Sequence, residues 1–271
     1  MSAFAAQAIP VVAPPRSVLD LSAPESASAL ADLLRPDDTL LFASAIAPDK
    51  GRDASTFMRN VAMGHHVAAA VRRGPCRQVV YLSSVAVYGA TGDTPASERA
   101  RCDPDDLYGM MHLAREMLLR TELGPARVPV AILRLSSVYG AGDTHDSYGP
   151  NRFVRELEQA GRLTLFGDGA ERRDHVCLDD VVAVILAVIR RRSEDVLNVV
   201  SGRSVSFAAV AEILDRINGA RVPRETRERS APLTHRHYDA TRLHASFPGI
   251  DWTPVDEGLA RLVAARVALR M

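Results

Sequence analysis

The stretch VVYLSSVAVYG at 79–89 and the stretch DLYGMMHLARE at 106–116 decide the fold. In the first, an apolar run rich in β-branched residues ends in Ser83 and Ser84, the pattern of a strand that runs out into a loop. In the second, helical spacing puts Tyr108 and His112 at i, i+4, on one face. A hydroxyl, a phenol and an imidazole can therefore meet at the end of one strand. The gap between them, ATGDTPASERARCDPDD, is rich in Gly, Pro, Asp and Ser and reads as a surface loop.

Outward from these stretches the chain alternates strands and helices. TLLFAS at 39–44 reads as a buried parallel strand entered from a Pro-Asp-Asp turn. The loop after it, AIAPDKGRD, lies at a strand's carboxyl end, where open α/β sheets place their ligands, and it holds Lys50, the only lysine in the chain. TFMRNVAMGHHVAAAVRR at 56–73 has helical periodicity, and its adjacent His65 and His66 point to different faces as a surface pair. VPVAILRL and VLNVVSG read as strands. PNRFVRELEQA, DDVVAVILAVIRR, FAAVAEILDRI and EGLARLVAAR read as helices, the first with Pro150 at its start and the second with Asp179 and Asp180 at its positive end.

Composition narrows the class. A chain of 271 residues, 47% hydrophobic, can bury a sizeable core as one domain or two intimate ones. With 33 basic and 33 acidic residues there is no net field to draw nucleic acid or an anionic membrane, so small molecules are the expected partners. The cysteines Cys76, Cys102 and Cys177 are scattered, without metal spacing, and His235 and His237 have no third ligand nearby in sequence; no metal is expected. MSAFAAQAIPVVA lacks the basic start of a signal peptide and no apolar run approaches bilayer length, so a soluble, cytoplasmic protein is expected.

Together with FGDG and RRD near residue 170, the serine-ended strand before VYG and the tyrosine helix resemble the extended short-chain dehydrogenase/reductase family of NAD-dependent sugar-nucleotide epimerases and dehydratases. The resemblance covers about residues 18–268. It implies an α/β fold: a Rossmann-like, mostly parallel sheet, truncated or altered at its N-terminal edge, with a small C-terminal α/β substrate lobe. Residues 1–149 with 174–195 would form the Rossmann-like domain, and 150–173 with 196–271 the substrate lobe. NAD or NADP is the implied cofactor and a nucleotide sugar the implied substrate. A homodimer through helices 56–73 and 107–122 is implied as well.

The same resemblance assigns residues. Ser84 takes the catalytic Ser/Thr position and touches the reacting oxygen of the substrate, while Ser83 supports the loop. Tyr108 and His112 fall on the family's Tyr-x-x-x-Lys, with histidine in place of lysine. Asp20, after a strand formed by VLDL, together with Ala43, Asn60, Ser83, Tyr108 and His112 would face the cofactor, and Ser22 would cap the following helix. Asn60, Val61 and Gly64 match Asn-Val-x-Gly, in which the asparagine supports the active-site strands. Ser137, Asn151, Arg152 and Arg173 join Ser84 on the substrate, Arg173 on its diphosphate, where a planar guanidinium suits phosphate oxygens. Ser137 stands where the family has asparagine, and Ala141 where it has proline. No Gly-x-x-Gly-x-x-Gly turn occurs before residue 50. Either a preceding segment supplies it, or residues 3–13 fill part of the gap as a makeshift strand or an ordered apolar arm.

Two mechanisms stay open at Tyr108. A phenol of ordinary pKa near 10 needs a neighbouring cation to act as a base, and a histidine near 6.5 is mostly neutral at pH 7. As an acid, Tyr108 needs no ionisation. Two functions stay open with them: an enzyme of the epimerase/dehydratase/reductase group, or a sugar-nucleotide-binding partner subunit without redox chemistry.

Overall fold

The computed structural model describes residues 2–142, 149–229 and 232–268. The chain divides into two compact units, Met1–Gly89 with Arg101–Arg134 and Val182–Leu197, and Ala90–Ala100 with Leu135–Val181 and Asn198–Met271.

The first unit carries α1 (Ser2–Ala5), α2 (Ser26–Leu33), β1 (Thr39–Phe42), α3 (Ala54–Arg73), β2 (Gln78–Ser84), α4 (Leu107–Leu123) and β3 (Val130–Leu135). With β7 (Val196–Val199) the strands form a sheet of order β1-β2-β3-β7, β1 and β2 being parallel. Asp53 and Asp106 set the starts of α3 and α4: their side chains accept from the backbone N–H groups of Thr56 and Gly109, each at 2.7 Å. Met63, Val67, Ala70 and Val71 of α3 then meet Leu119 and Leu123 of α4 and Val79, Tyr81 and Ile132 of the sheet in one core. Met63, Val67 and Ala70 or Val71 recur at three- or four-residue intervals, as do Leu119 and Leu123, the spacing of one buried helical face.

Ahead of β1 the structure departs from expectation. VLDL forms no strand: residues 16–18 are a turn, and the Asp20 carboxylate accepts from Ser22 N (2.9 Å), from Ser22 Oγ (2.7 Å) and from Arg16. Such a side-chain-to-backbone turn offers the chain an alternative to ladder pairing. Ser22 is thereby occupied and does not cap α2, which follows Glu25 with no side-chain cap. Residues 9–15 form no strand either, so AIPVVA is not a makeshift strand, and its Val12 is 82% exposed. Leu19 and Leu21 instead pack onto the core, and His66 Nδ1 sits 2.9 Å from Leu21 O, so only His65 of the histidine pair is a surface residue.

The second unit contains β4 (Ser137–Tyr139), α5 (Gly149–Ala160), β5 (Leu163–Phe166), β6 (Arg172–Cys177), β8 (Ser204–Ser206), α7 (Phe207–Asn218), β9 (Arg224–Arg227), α8 (Thr241–Ser246) and α9 (Val255–Ala268). α6 (Leu178–Arg191) begins here. The strands form a sheet of order β4-β6-β8 and a parallel pair β5-β9. Tyr139, Phe153, Leu163, Val210, Leu214 and Leu259 are central to its core. Asp180, in the first turn of α6, accepts from Thr253 N (2.9 Å) and Thr253 Oγ1 (2.8 Å) and so pins the Trp252-Thr253-Pro254 segment.

Candidate functional site

At the end of β2 the chain tightens into a 3-10 turn, Val85–Tyr88, whose first N–H groups need a partner. Ser84 supplies it, its hydroxyl accepting from Ala86 N at 3.1 Å. The start of α4 docks on this turn. A side chain at Gly109 would place its Cβ 2.4 Å from Ala86 O, so the approach admits only glycine. The close contact places Tyr108 beside the serine-bearing strand end, where Ser84 favours the ionised phenol against the larger opposing effect of burial.

Ser83 faces the other way, into a buried ion pair. Its hydroxyl donates to Glu116 Oε1 at 2.5 Å, and Arg134 grips the same carboxylate through Nε (3.0 Å) and Nη2 (2.7 Å). Arg134 also donates to the Tyr88 hydroxyl at 2.8 Å and lies over its ring. The strand end, the 3-10 turn and α4 are thus tied by groups that are 3–6% exposed in the central ion pair. Sequence reasoning missed Glu116, Arg134 and Tyr88; the signal was there in Arg-Glu on the helix, Leu-Arg on the strand and Tyr in VYG.

Asn60 clamps the loop after β1, accepting from Ile46 N (2.9 Å) and donating to Ile46 O (3.0 Å), in line with support of a strand end. Ala43 and Lys50 are exposed. Asp20 is engaged with Arg16 and Ser22, and these hydrogen bonds, Ser22 foremost, hold its carboxyl down at about 2.

His112 is buried against Tyr108 and Tyr81. Its ring meets the Tyr108 ring edge-on at 4.6 Å between centroids, its Nδ1 lies 2.7 Å from the Tyr81 hydroxyl, and its Nε2 has no hydrogen-bond partner among the described residues. Burial, and secondarily the nearby Arg115, push its pKa down to about 3, so it is neutral throughout the physiological range. Burial also raises the Tyr108 phenol above its usual value, against the smaller opposing effects of Ser84 and Arg115. As it stands, Tyr108 keeps its proton. A cavity of about 110 Å³ borders Tyr108, lined also by Ile46, Thr56, Phe57, Asn60 and Met111.

In the second unit, Asn151 is buried and occupied: its side chain accepts from Gly140 N and donates to Gly140 O, each at 3.1 Å, fixing the turn after β4. Arg152 lies over Phe153 and Phe166, donates to Thr164 O at 2.8 Å, and lines a cavity of about 130 Å³ with Gly149, Phe153, Phe166, Glu171 and Phe207. Arg173 forms an ion pair with Glu171 and donates to Arg172 O (2.9 Å) and Thr234 O (2.5 Å); Arg229 Nη1 reaches the same Glu171 at 3.1 Å. Ser137 lies in register with His175, a buried residue whose two ring nitrogens lack partners among the described residues and whose pKa burial pushes down to about 3. Asp174 accepts from Ser201 N, Ser201 Oγ and Arg203 N, yet burial raises it to about 6.

The profile of the NAD dependent epimerase/dehydratase family matches residues 5–200. The chain belongs to that family. A dTDP-L-rhamnose 4-epimerase of Burkholderia thailandensis is 30% identical over 175 residues, 61% of this chain and 47% of that protein. Among solved structures, MoeE5 in complex with UDP-glucuronic acid and NAD superposes with a TM-score of 0.80 at 25% identity, covering 89% of this chain and 82% of that one. A UDP-glucuronic acid 4-epimerase of Bacillus cereus, also with UDP-glucuronic acid and NAD, gives 0.80 at 20% identity, over 99% and 86%, and shows the fold alone. The chain spans about half the length of the curated relatives it matches. The Rossmann-like α/β architecture expected from the sequence is the one found.

Family membership implies NAD, and the first unit offers a cavity beside Tyr108 and Asn60 that could take part of it. Among the described residues no glycine turn joins a strand to a helix ahead of β1, and no residue is assigned to the cofactor diphosphate.

Proposed function

We propose that the chain takes part in NAD(P)-dependent epimerase, dehydratase or reductase chemistry on a nucleotide sugar. One observation carries the reading: the glycine-only approach at Gly109 that docks the start of α4, with Tyr108 bordering a cavity, on the turn capped by Ser84. When bound, the nicotinamide would accept or return a hydride at a sugar carbon. Ser84 would hold the oxygen of that carbon by a hydrogen bond. Tyr108, kept protonated by burial, would donate its proton to a carbonyl oxygen in the reducing direction, as a general acid within hydrogen-bond reach. Asn60 would keep the β1 loop in place beside them.

In the second unit, Arg173 would grip the substrate diphosphate by exchanging its ion pair with Glu171 for phosphate, and Glu171 would retain Arg229. Arg152, Asn151 and Ser137 would shape the nucleotide side. A homodimer is proposed through α3 and α4, whose Met58, Met110 and Met117 are 61%, 45% and 63% exposed although the inner faces of the same helices are buried. A reducing, cytoplasmic setting suits Cys76, Cys102 and Cys177, all unpaired.

A second reading, nucleotide-sugar binding without redox chemistry, is favoured by the neutrality of His112 where the family carries a lysine. Incubation with NAD or NADP and a panel of UDP-, GDP-, CDP- and dTDP-sugars separates the two. Turnover abolished by Tyr108→Phe supports the enzyme, while thermal stabilisation by a nucleotide sugar without turnover supports the binding protein.

A further inference from the structure

Glu171 immediately precedes β6 and, with Arg152, Phe166 and Phe207, lines the cavity of about 130 Å³ in the second unit. Its carboxylate bridges two arginines: Oε1 forms an ion pair with Arg173 Nη2, and Oε2 accepts from Arg229 Nη1 at 3.1 Å. The three side chains are 12–23% exposed, so water and salt screen their charges weakly. Arg229 reaches Glu171 by lying across the turn at Gly167, where φ is +59° and a Cβ would stand 2.7 Å from Arg229 Nε. Asp168 of the same turn stands 3.6 Å from Arg229 Nη2, and Glu156 stands 3.6 Å from Arg152 Nε. Each of these arginines therefore already faces a carboxylate of the chain itself.

The two ends of the Arg173 guanidinium do different things. Nη1 donates to Arg172 O (2.9 Å) and Thr234 O (2.5 Å), backbone carbonyls that fix where the guanidinium lies. Nη2 carries the ion pair with Glu171. Placement thus comes from neutral backbone, and neutralisation from Glu171. A carboxylate presents to a guanidinium the same kind of charged, two-oxygen edge as a phosphate, so Glu171 occupies the position that an anionic ligand of Arg173 needs. Breaking a weakly screened pair before Nη2 can turn to phosphate subtracts from the affinity for the ligand.

We propose that Glu171 is an internal counter-anion that competes with phosphate for Arg173 and so sets the ligand specificity of this cavity. A diphosphate brings a charge on each phosphoryl group and can displace one carboxylate; an uncharged nucleoside or sugar cannot. Glu171 acts through Arg173 and is not a catalytic residue. The proposal rests on the assignment of Arg173 to the substrate diphosphate made above.

Calorimetric titration of the whole chain with inorganic pyrophosphate, and with UDP, GDP, CDP and dTDP, tests it. Glu171→Gln, which keeps the shape and removes the charge, is expected to bind about tenfold more tightly than wild type, one charge-assisted contact no longer having to be broken. Glu171→Ala is expected to shift affinity in the same direction and serves where the glutamine variant folds poorly. In the Arg173→Ala background Glu171→Gln should bring no gain, because the two residues act as one unit. Loss of a merely structural bridge would weaken binding instead. Equal or weaker binding by Glu171→Gln and Glu171→Ala, with Arg173→Ala weakened as well, overturns the counter-anion and leaves Arg173 on the diphosphate. Binding by Arg173→Ala as tight as by wild type removes Arg173 from the diphosphate, and the competition with it. Failure of both wild type and Glu171→Gln to bind any of these probes overturns both.

Discussion

Replacing Arg134 by methionine removes the guanidinium that grips Glu116 at 3.0 and 2.7 Å and donates to Tyr88 at 2.8 Å. Arg134 and Glu116 are 6% and 3% exposed as side chains, so the carboxylate left behind keeps only the hydrogen bond from Ser83 and cannot reach water. Breaking one partner out of such a pair costs about 3–5 kcal/mol, a large part of the roughly 5–15 kcal/mol that holds a typical domain. Glu116→Met strands the guanidinium in the same way. The double variant Glu116→Met/Arg134→Met strands neither charge, and should lose much less than the sum of the singles, a coupling of about 2 kcal/mol or more. Urea unfolding followed by circular dichroism measures it. Fluorescence is the wrong probe, because the single tryptophan, Trp252, lies in the second unit. Additive losses under about 1 kcal/mol each would refute the buried network as the fastening of the serine-bearing strand end.

Gly109→Ala would put a methyl 2.4 Å from Ala86 O and 3.0 Å from Pro104 Cβ. Backbone cannot yield there, so about 1–3 kcal/mol of stability should be lost despite the better helix former, and turnover should fall about a hundredfold as Tyr108 moves from Ser84; wild-type stability and turnover would contradict this. His175→Phe should stabilise the protein, most of all in mild acid. With its pKa depressed from 6.5 to about 3, native His175 binds fewer protons than the unfolded chain in that window, so stability is lost as pH falls below 6.5, by up to about 1.4 kcal/mol per pH unit. Melting curves of wild type and variant that stay parallel from pH 8 to 5 would argue against this. Arg173→Ala should abolish the thermal shift produced by a nucleoside diphosphate sugar; an undiminished shift would remove Arg173 from the diphosphate.

Much of this arrangement was legible before any coordinates. Helices α3, α4, α7 and α9 follow from apolar spacing, while the caps Asp53 and Asp106 of the first two emerge only from the structure. The docking of the tyrosine helix on the serine-bearing strand end follows from a strand end and a helix start joined by one loop. Other features were hidden for definite physical reasons. VLDL has the composition of a strand, but an Asp20–Ser22 turn satisfies its polar groups locally. Asn151, read as a substrate ligand, spends its amide on the Gly140 backbone, a contact no local pattern reveals. The burial of Arg115 has no local signal, because its partners Asn60 and Ser44 come from distant segments of the chain.

The proposed chemistry is tested most directly by following the ultraviolet absorbance of reduced nicotinamide while the whole protein meets NAD or NADP and each nucleotide sugar in turn. Transient or lasting reduction of the cofactor by one of them is expected with wild type, slowed about a hundred- to ten-thousandfold in Tyr108→Phe. A nucleotide sugar that binds and melts the protein at higher temperature, yet never reduces cofactor and yields no altered sugar, would contradict it.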